Sequence, residues 1–311
     1  MSPNHDDHQR TPEEAELLAS VGRYVAPGPD QDPRWEDVPG GWTAGWVKRL
    51  RFADQDLFCK RIEPNEARAL ALIAPLGLEH MLTVPYPELL SIGLLVTPFV
   101  DAPRISIKRV SDGLLSDLAT VQNHLNQPPH DQHAGRATHG PYLLECLQVA
   151  RQHLPQLREP WSPALERWSE WLRRREQDEA AIAAVVNAMP RGWLHHDFRE
   201  ANILDSRPQL LVDWGSSWGH GPFLFDVAPF IYGRPVSIAA FCGTSDIARA
   251  CLQADFERWL VAATAARAAG YIRWASIRFL SRGTPMADIE RELDYEWGTY
   301  GLSDDVIRGS L

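Results

Sequence analysis

The fold of this chain is decided by one stretch, residues 191–231, which runs RGWLHHDFREANILDSRPQLLVDWGSSWGHGPFLFDVAPFI. Short apolar segments within it are predicted as strands, at residues 193–194, 203–204 and 210–212. Polar turns alternate with these segments, and the turns contain His195, Asp197, Asn202, Asp213 and Asp226. Polar groups at strand ends and in tight loops are where chemistry usually lies. The alternation therefore predicts a functional site within this stretch.

Three oxygen-bearing side chains are expected to converge there. Asp197 and Asn202 are five residues apart on a loop between two strands, and Asp213 follows the strand that pairs back across the turn at 206–208. Mg²⁺ prefers oxygen ligands, keeps several waters and bridges a few protein groups to nucleotide phosphates. A further carboxylate that does not bind the metal can orient an attacking hydroxyl and accept its proton. The pattern suits phosphoryl transfer.

Three segments carry a resemblance to a known family, HHDFREAN at 195–202, VDWG at 212–215 and GPFLFDVA at 221–228. With them the chain resembles the aminoglycoside phosphotransferase and choline kinase-like small-molecule kinases, which are relatives of the protein kinases. The resemblance implies that Asp197 is the catalytic base and that Arg199 faces the transferred phosphate. It also implies two metal ligands, Asn202 and Asp213, and two structural supports of the catalytic loop, His195 and Asp226.

The same resemblance implies a lysine on a strand of a small lobe, paired with a glutamate on the following helix, that grips the α- and β-phosphates. Lys60 in DLFCKRI fits the lysine, and Glu66 in NEARALALI fits the glutamate. Their six-residue spacing is short for this fold, so Glu63 and Glu79 stay open as alternatives.

The resemblance also implies a phosphate-binding loop and a hinge. Residues 39–45, PGGWTAG, occupy the place of the glycine-rich loop but depart from GxGxxG, and Gly41 and Thr43 are the candidates there. Residues 97–101 follow the apolar LLV segment and occupy the place of the hinge to the nucleobase, with Phe99 and Asp101 as candidates.

The flanking sequence indicates two lobes. Residues 11–24 predict a helix, and residues 26–39, rich in Pro and Asp, predict a linker. The following segments predict a hairpin, one helix capped by Asn65 and further strands, at 42–50 with 57–62, at 65–76, and at 88–90 with 92–99. After Asp112 the pattern is mostly helical. We expect a two-lobed, protein kinase-like α+β fold with a small antiparallel-sheet lobe and a larger helical lobe.

The predicted boundary falls between residues 102 and 103. Residues 1–102 would form the nucleotide-binding lobe, with the helix and linker at 1–39, and residues 103–311 the catalytic and acceptor-binding lobe. The chain has 311 residues, of which 44% are hydrophobic and 23% charged, so a disordered or fibrous protein is excluded.

The net charge and the hydropathy of the chain limit which classes of binding partner are expected. The net charge of −10 repels phosphate backbones and anionic lipid, so neither nucleic acid nor a membrane is expected as a partner. The N-terminal residues show no export pattern and no apolar run approaches a membrane span, which predicts a cytoplasmic protein. The four cysteines are far apart, without the spacing of a zinc site or a disulfide framework.

The expected activity is Mg²⁺-dependent transfer of the γ-phosphate of ATP or GTP to a hydroxyl of a small molecule. The acidic segment at 288–296 and several tryptophans are compatible with a cationic, aminoglycoside-like acceptor, although a solvated helix face and core packing explain them equally. A choline, amino-alcohol or sugar kinase is the nearest alternative. The nucleobase, the oligomeric state and a role in resistance, biosynthesis or catabolism stay open.

Two other classes of protein are weighed against this prediction. A catalytically silent binding module of the same fold would have lost Asp197, Asn202 or Asp213, and all three are present. A protein kinase would need an Ala-Pro-Glu segment and a long activation loop, and the run from Asp213 to Asp226 is too short for one. Each aspartate and asparagine alone would fit an ordinary turn residue.

Overall fold

The computed structural model describes residues 15–16, 19–22, 34–38, 46–51, 55–105, 109–127, 139–157, 162–216, 219–302 and 304–311. These residues form a small sheet region followed by a larger helical region. None of the described helices is long and apolar enough to cross a membrane.

The small region is an antiparallel sheet of four strands in the order β1-β2-β3-β4. The strands are β1 (Arg34–Asp37), β2 (Val47–Arg51), β3 (Asp56–Arg61) and β4 (Leu94–Pro98). Helix α1 (Pro64–Ile73) directly follows β3, and its buried residues alternate at helical spacing. The register pairs Lys60 of β3 with Leu95 of β4. A fully buried Cys59 beside it anchors the strand in the core.

Three sequence-based predictions in this region are wrong. Residues 34–37 of the predicted linker form edge strand β1, since their charged side chains pair with β2, as Lys48 does with Asp37. Residues 88–90 lie in the 3-10 helix Pro87–Ile92, because the proline begins a helical turn. Helix α1 begins at Pro64, so Glu63 and not Asn65 occupies the cap position.

The helical region contains ten α-helices within the described residues. They are α2 (Asp112–Leu125), α3 (His139–His153), α4 (Pro163–Arg175), α5 (Glu179–Ala188), α6 (Ala228–Ile231), α7 (Pro235–Thr244), α8 (Asp246–Arg249), α9 (Gln253–Arg282), α10 (Met286–Tyr300) and α11 (Asp304–Ser310). Helix α9 is the long central element. It packs alanines against α3 and α5, and small side chains let helices approach closely.

Two short strand pairs interrupt the helices and carry the polar turns. Strand β5 (Arg191–Leu194) pairs with β8 (Gly219–Pro222), and β6 (Ile203–Leu204) pairs with β7 (Leu210–Leu211). The pair Ile203 and Leu211 is fully buried on one face. The predicted strands of residues 191–231 are therefore present. Strand β8, which pairs with β5, was not predicted from the sequence. The expected α+β fold with a small antiparallel sheet and a larger helical part is confirmed.

Candidate active site

The loop after β5 is held by one buried carboxylate. Asp226 is fully buried and accepts the backbone N–H of His195 at 2.5 Å and that of His196 at 3.1 Å. His196 has φ 65°, in the left-handed region that non-glycine residues rarely adopt. The two hydrogen bonds to Asp226 hold this strained turn, which sets the direction of the loop that follows.

His195 fixes the loop from inside the core. Its ring is fully buried, its Nε2 lies 3.2 Å from the Val212 carbonyl oxygen, and its Nδ1 accepts the Asp197 N–H at 3.3 Å. Desolvation lowers the pKa of His195, against the charges of Asp226 and Asp197. A neutral ring that donates through Nε2 and accepts through Nδ1 satisfies both contacts.

Asp197 and Asn202 are in direct contact. The Asn202 side-chain amide donates to the Asp197 carboxylate at 2.8 Å and to its carbonyl oxygen at 2.9 Å. The Nε of Arg199 lies 3.1 Å from the other Asp197 carboxylate oxygen. The carboxylate is thus oriented from two sides, by the amide of Asn202 and the guanidinium of Arg199.

A second cluster joins the sheet to the helical region. The Lys60 ammonium donates to both carboxylate oxygens of Glu66 at 2.9 Å and to Asp213 Oδ1 at 2.8 Å. We call these three residues the Lys60 cluster. Because α1 begins immediately after β3, its first turn brings Glu66 to Lys60, which accounts for the six-residue spacing. The alternatives Glu63 and Glu79 are exposed.

The electrostatics of the Lys60 cluster follow from its burial. Desolvation would lower the pKa of Lys60, but the charges of Glu66 and Asp213 outweigh it and the pKa is raised. Desolvation raises the pKa of Glu66, with Lys60 opposing. Desolvation would raise the pKa of the more exposed Asp213, but the charge and hydrogen bond of Lys60, together with the Arg199 charge, outweigh it and the pKa is lowered. The ammonium and the two carboxylates are therefore electrostatically coupled, and Lys60 favours the ionised form of both carboxylates.

The oxygen atoms of this site suit a hard cation. The Asn202 amide nitrogen is committed to Asp197, so its carbonyl oxygen is the atom left to coordinate. The backbone holds Asp213 near Asn202, because the N–H of the preceding Val212 donates to the backbone carbonyl of Asn202 at 2.9 Å. Asp213 itself has φ 64°. One carboxylate and one amide oxygen, completed by water and phosphate oxygens, match the coordination that Mg²⁺ prefers.

The structure describes the predicted hinge residues but not the predicted phosphate-loop residues. Gly41 and Thr43 lie outside the described residues. The Phe99 N–H donates to the Asp56 carbonyl at 2.9 Å, and its ring lies 4.1 Å beneath the Arg49 guanidinium. The Phe99 ring therefore lies against the sheet, and its expected contact with a nucleobase stays a prediction. Asp101 is exposed, and among the described residues it has no side-chain hydrogen bond or ion pair.

The structure adds residues that the sequence analysis missed. Gly215 lies against the Lys60 cluster, since a Cβ there would make van der Waals contact with Glu66 Oε2 at 3.5 Å and Asp213 Oδ1 at 3.6 Å. Arg267 donates to the Phe198 carbonyl at 3.1 Å and opposes the effect of burial on the Asp226 pKa. Gly215 could have been predicted from the sequence, because it is the last residue of the VDWG segment. Arg267 could not have been predicted, because no motif surrounds it in the alanine-rich sequence of α9.

A wall of charged and aromatic side chains from α9 and α10 lies beside the loop at residues 195–202. The Arg278 guanidinium lies 4.3 Å and that of Arg199 5.8 Å from the Trp274 ring centroid. Arg278 also pairs with Glu292, which accepts the Tyr271 hydroxyl at 3.2 Å. We call Tyr271, Trp274, Arg278, Glu292 and Glu296 the α9–α10 wall.

Glu296 also contacts the loop at residues 195–202, through the side chain of Glu200. Desolvation raises the pKa of Glu296 to about 9, and the neighbouring carboxylates of Glu200 and Glu292 add to the rise. Its Oε2 atom is buried and has no hydrogen-bond partner among the described residues. Glu296 is therefore a neutral carboxylic acid near pH 7.

The fold and the two polar clusters together define a kinase-like protein. A family model described as the phosphotransferase enzyme family matches residues 34–280, and the chain belongs to that family. The predictions of this family and of an enzyme of the small-molecule kinase class are confirmed. A comparison with curated protein sequences finds no match.

Solved structures show the same fold at low sequence identity. An aminoglycoside phosphotransferase from Alicyclobacillus acidocaldarius is 12% identical with a TM-score of 0.59, over 91% of this chain and 92% of that one. A choline/ethanolamine kinase family protein from Mesorhizobium loti is 17% identical with a TM-score of 0.56, over 96% and 97%. A spectinomycin phosphotransferase in complex with ADP and spectinomycin is 13% identical with a TM-score of 0.55, over 95% and 97%.

Proposed function

We propose that the protein transfers the γ-phosphate of ATP or GTP to a hydroxyl group of a small molecule, with Mg²⁺. The observation that carries the proposal is the pair of neighbouring clusters, close enough that the Arg199 charge acts on Asp213. Asp197 is oriented by Asn202 at 2.8 Å, and Lys60 bridges Glu66 and Asp213 at 2.9 and 2.8 Å. Phosphoryl transfer needs these parts, a positioned base and fixed positive charge at the phosphates.

In this mechanism each residue has one task. Asp197 aligns the acceptor hydroxyl and accepts its proton, and Arg199 faces the transferred phosphate. Lys60, held by Glu66, grips the α- and β-phosphates. Asn202 and Asp213 would hold Mg²⁺, which when bound neutralises phosphate charge. His195 and Asp226 keep the loop in place through its backbone.

The nucleobase is assigned to the hinge after β4. The Phe99 N–H is used by β3, and successive residues of an extended segment direct their backbone groups to opposite edges. Val100 thus directs its N–H away from the sheet, and Pro98 offers a carbonyl but no N–H. A base that donates to one and accepts from the other fits this edge. The division of the chain at residues 102 and 103 stays a prediction.

The acceptor is assigned to the α9–α10 wall, and an aminated, polyhydroxylated compound is proposed. Most acidic groups of the 288–296 segment are already paired, Asp288 with Arg291, Glu292 with Arg278 and Asp294 with Arg167. The attraction for an amine is therefore placed on Glu296 and Glu200 rather than on the whole segment. An ammonium group between these two carboxyls would favour their ionised forms. A choline-like or amino-alcohol acceptor is the second candidate, for the same reason.

A coupled ADP- or GDP-release screen tests this proposal. Wild type and Asp197→Asn are compared with ATP and with GTP across aminoglycosides, choline, ethanolamine and neutral sugars. Acceptor-dependent release that the variant lacks supports the proposal. Release with neither nucleotide, although the wild type binds one, would instead favour a catalytically silent binding module.

The ionic-strength dependence of the KM for the best acceptor then tests its charge. If an amine is attracted to Glu296 and Glu200, its KM rises between low salt and about 0.5 M salt at constant free Mg²⁺. A neutral or anionic best acceptor, or a KM that salt leaves unchanged, would contradict the cationic acceptor and leave the phosphotransfer intact.

A further inference from the structure

The segment that follows the hinge lies against strand β6. Arg104 pairs antiparallel with Leu204, two residues beyond Asn202. Backbone hydrogen bonds of 2.8 and 3.1 Å tie the segment to β6 on either side of this pair. The backbone of Arg104 is thus fixed at the border of the candidate active site, beside the loop that carries Asn202.

Strand pairing also decides the face on which Arg104 lies. Residues paired across antiparallel strands project to the same face, and neighbours along a strand project to opposite faces. Ile203 and Leu211 are fully buried, so their face is the core face, whereas Leu204 is half-buried on the other. Arg104 shares the face of Leu204, and its side chain is exposed.

Two charged groups of the site act on the Arg104 guanidinium. Desolvation lowers the pKa of Arg104, the Asp213 carboxylate raises it, and the Arg199 guanidinium lowers it. Asp213 is the proposed metal ligand, and Arg199 pairs with the proposed base. The positive charge of Arg104 therefore acts on the groups beside which the phosphates would lie. The guanidinium stays ionised because it is a very strong base.

Arg104 differs from the other cations of the site in its partners. Lys60 is bonded to Glu66 and Asp213, and Arg199 is paired with Asp197. No ion pair or side-chain hydrogen bond links Arg104 to another residue in the part of the chain that the structure describes. An unpaired guanidinium near a like charge is a site for an anion, and its planar fork matches two phosphate oxygens.

We infer that Arg104 binds the polyphosphate of the phosphate donor, as a third cation beside Lys60 and Arg199. The inference rests on the proposed function. The donor is favoured over the acceptor because Arg104 follows the hinge and lies within the influence of Asp213. The proposed acceptor groups, by contrast, belong to α9, α10 and the Glu200 turn.

Binding measurements with a matched control test the inference. Arg104→Gln and Arg109→Gln each remove one positive charge from the same segment, but Arg109 is paired with Asp205 at 2.9 Å. Calorimetry compares wild type and both variants for non-hydrolysable analogues of ATP and GTP, Mg²⁺-tripolyphosphate and the nucleosides. We expect Arg104→Gln to weaken the better analogue and tripolyphosphate about tenfold or more, since a charged hydrogen bond is lost. Nucleoside affinity should change less than about twofold, and Arg109→Gln should leave all ligands at wild-type affinity.

The outcomes separate this inference from the proposed function. If the wild type binds neither analogue nor tripolyphosphate, both are overturned. Wild-type affinity of Arg104→Gln for the analogue and tripolyphosphate overturns the role of Arg104 alone. The same holds if nucleoside binding weakens equally, or if only the KM for the acceptor changes.

Discussion

The Lys60 cluster and the α9–α10 wall are both rich in charge, but they hold it in different ways. The cluster joins groups from β3, α1 and the turn after β7, and Lys60 alone reaches two carboxylates at 2.8 and 2.9 Å. The wall pairs its charges mostly between two adjacent helices, as Arg278 does with Glu292. A group with partners from distant elements has little freedom to vary, whereas a helix surface can exchange one pair for another. The proposed chemistry therefore depends on the Lys60 cluster, whose geometry is fixed by distant elements. The proposed choice of acceptor depends on the α9–α10 wall, whose ion pairs can be exchanged.

The largest expected effect comes from the base next to the cluster. Asp197→Asn keeps the shape of the side chain but removes the proton acceptor, so kcat should fall by about 10²- to 10⁴-fold. Affinity for the nucleotide should stay within about threefold, because Asp197 is proposed to contact the acceptor. Steady-state rates and calorimetry with a non-hydrolysable analogue measure the two effects. Near-normal turnover of Asp197→Asn would show that Asp197 is not the base.

A smaller but direct effect is expected when the cluster loses its metal ligand. Asp213→Ala removes a carboxylate that is proposed to coordinate Mg²⁺ and that now holds Lys60 at 2.8 Å. We expect the rise in Tm caused by Mg·ATP to shrink strongly, equivalent to at least about tenfold weaker binding. The control is Asp205→Ala, which removes a carboxylate from the neighbouring turn. Unchanged stabilisation by Mg·ATP in Asp213→Ala would show that this residue is no ligand.

The support of the loop is tested through stability. Asp226→Asn places an amide where a fully buried carboxylate accepts the backbone N–H groups of His195 and His196. An amide nitrogen cannot accept, so the free energy of unfolding should fall by about 2–4 kcal/mol and kcat should fall with it. Denaturant unfolding measures the loss. If stability is lost but kcat at low temperature is kept, Asp226 supports the fold and not the site.

The effect expected on the wall depends on pH and is the smallest of these near pH 5. The carboxyl of Glu296 ionises in the unfolded chain near its ordinary pKa of 4.5 and in the folded protein near 9. Between these values the folded state keeps a proton that the unfolded state has lost, so stability falls as pH rises. Glu296→Gln removes this dependence. We expect little change at pH 5 and a gain that grows toward pH 8, by up to about 1.4 kcal/mol for each pH unit.

The control for this prediction is Glu290→Gln, which makes the same substitution on the same helix. Unfolding curves at both pH values are compared for the two variants. Equal stabilisation at pH 5 and pH 8 would contradict a neutral Glu296. A loss of affinity for an amine acceptor in Glu296→Gln alone would sharpen the contrast, since the wall would then select the acceptor.

Much of this protein was determined by its sequence alone. The order of apolar segments and polar turns in residues 191–231 predicted the strands that carry Asp197, Asn202 and Asp213, because local periodicity and turn chemistry act over a few residues. The family and the α+β fold followed from the same stretch. The contact between Lys60 and Glu66 was also within reach, since strand and helix are adjacent in the chain.

Other features were decided only by the tertiary structure. The bond from Lys60 to Asp213 joins residues 153 positions apart, and no local pattern encodes it. The proton on Glu296 depends on its burial against Glu200, and the placement of Arg104 depends on its pairing with Leu204. Long-range packing brings such groups together, and their charge states and neighbours follow from that packing rather than from residue type.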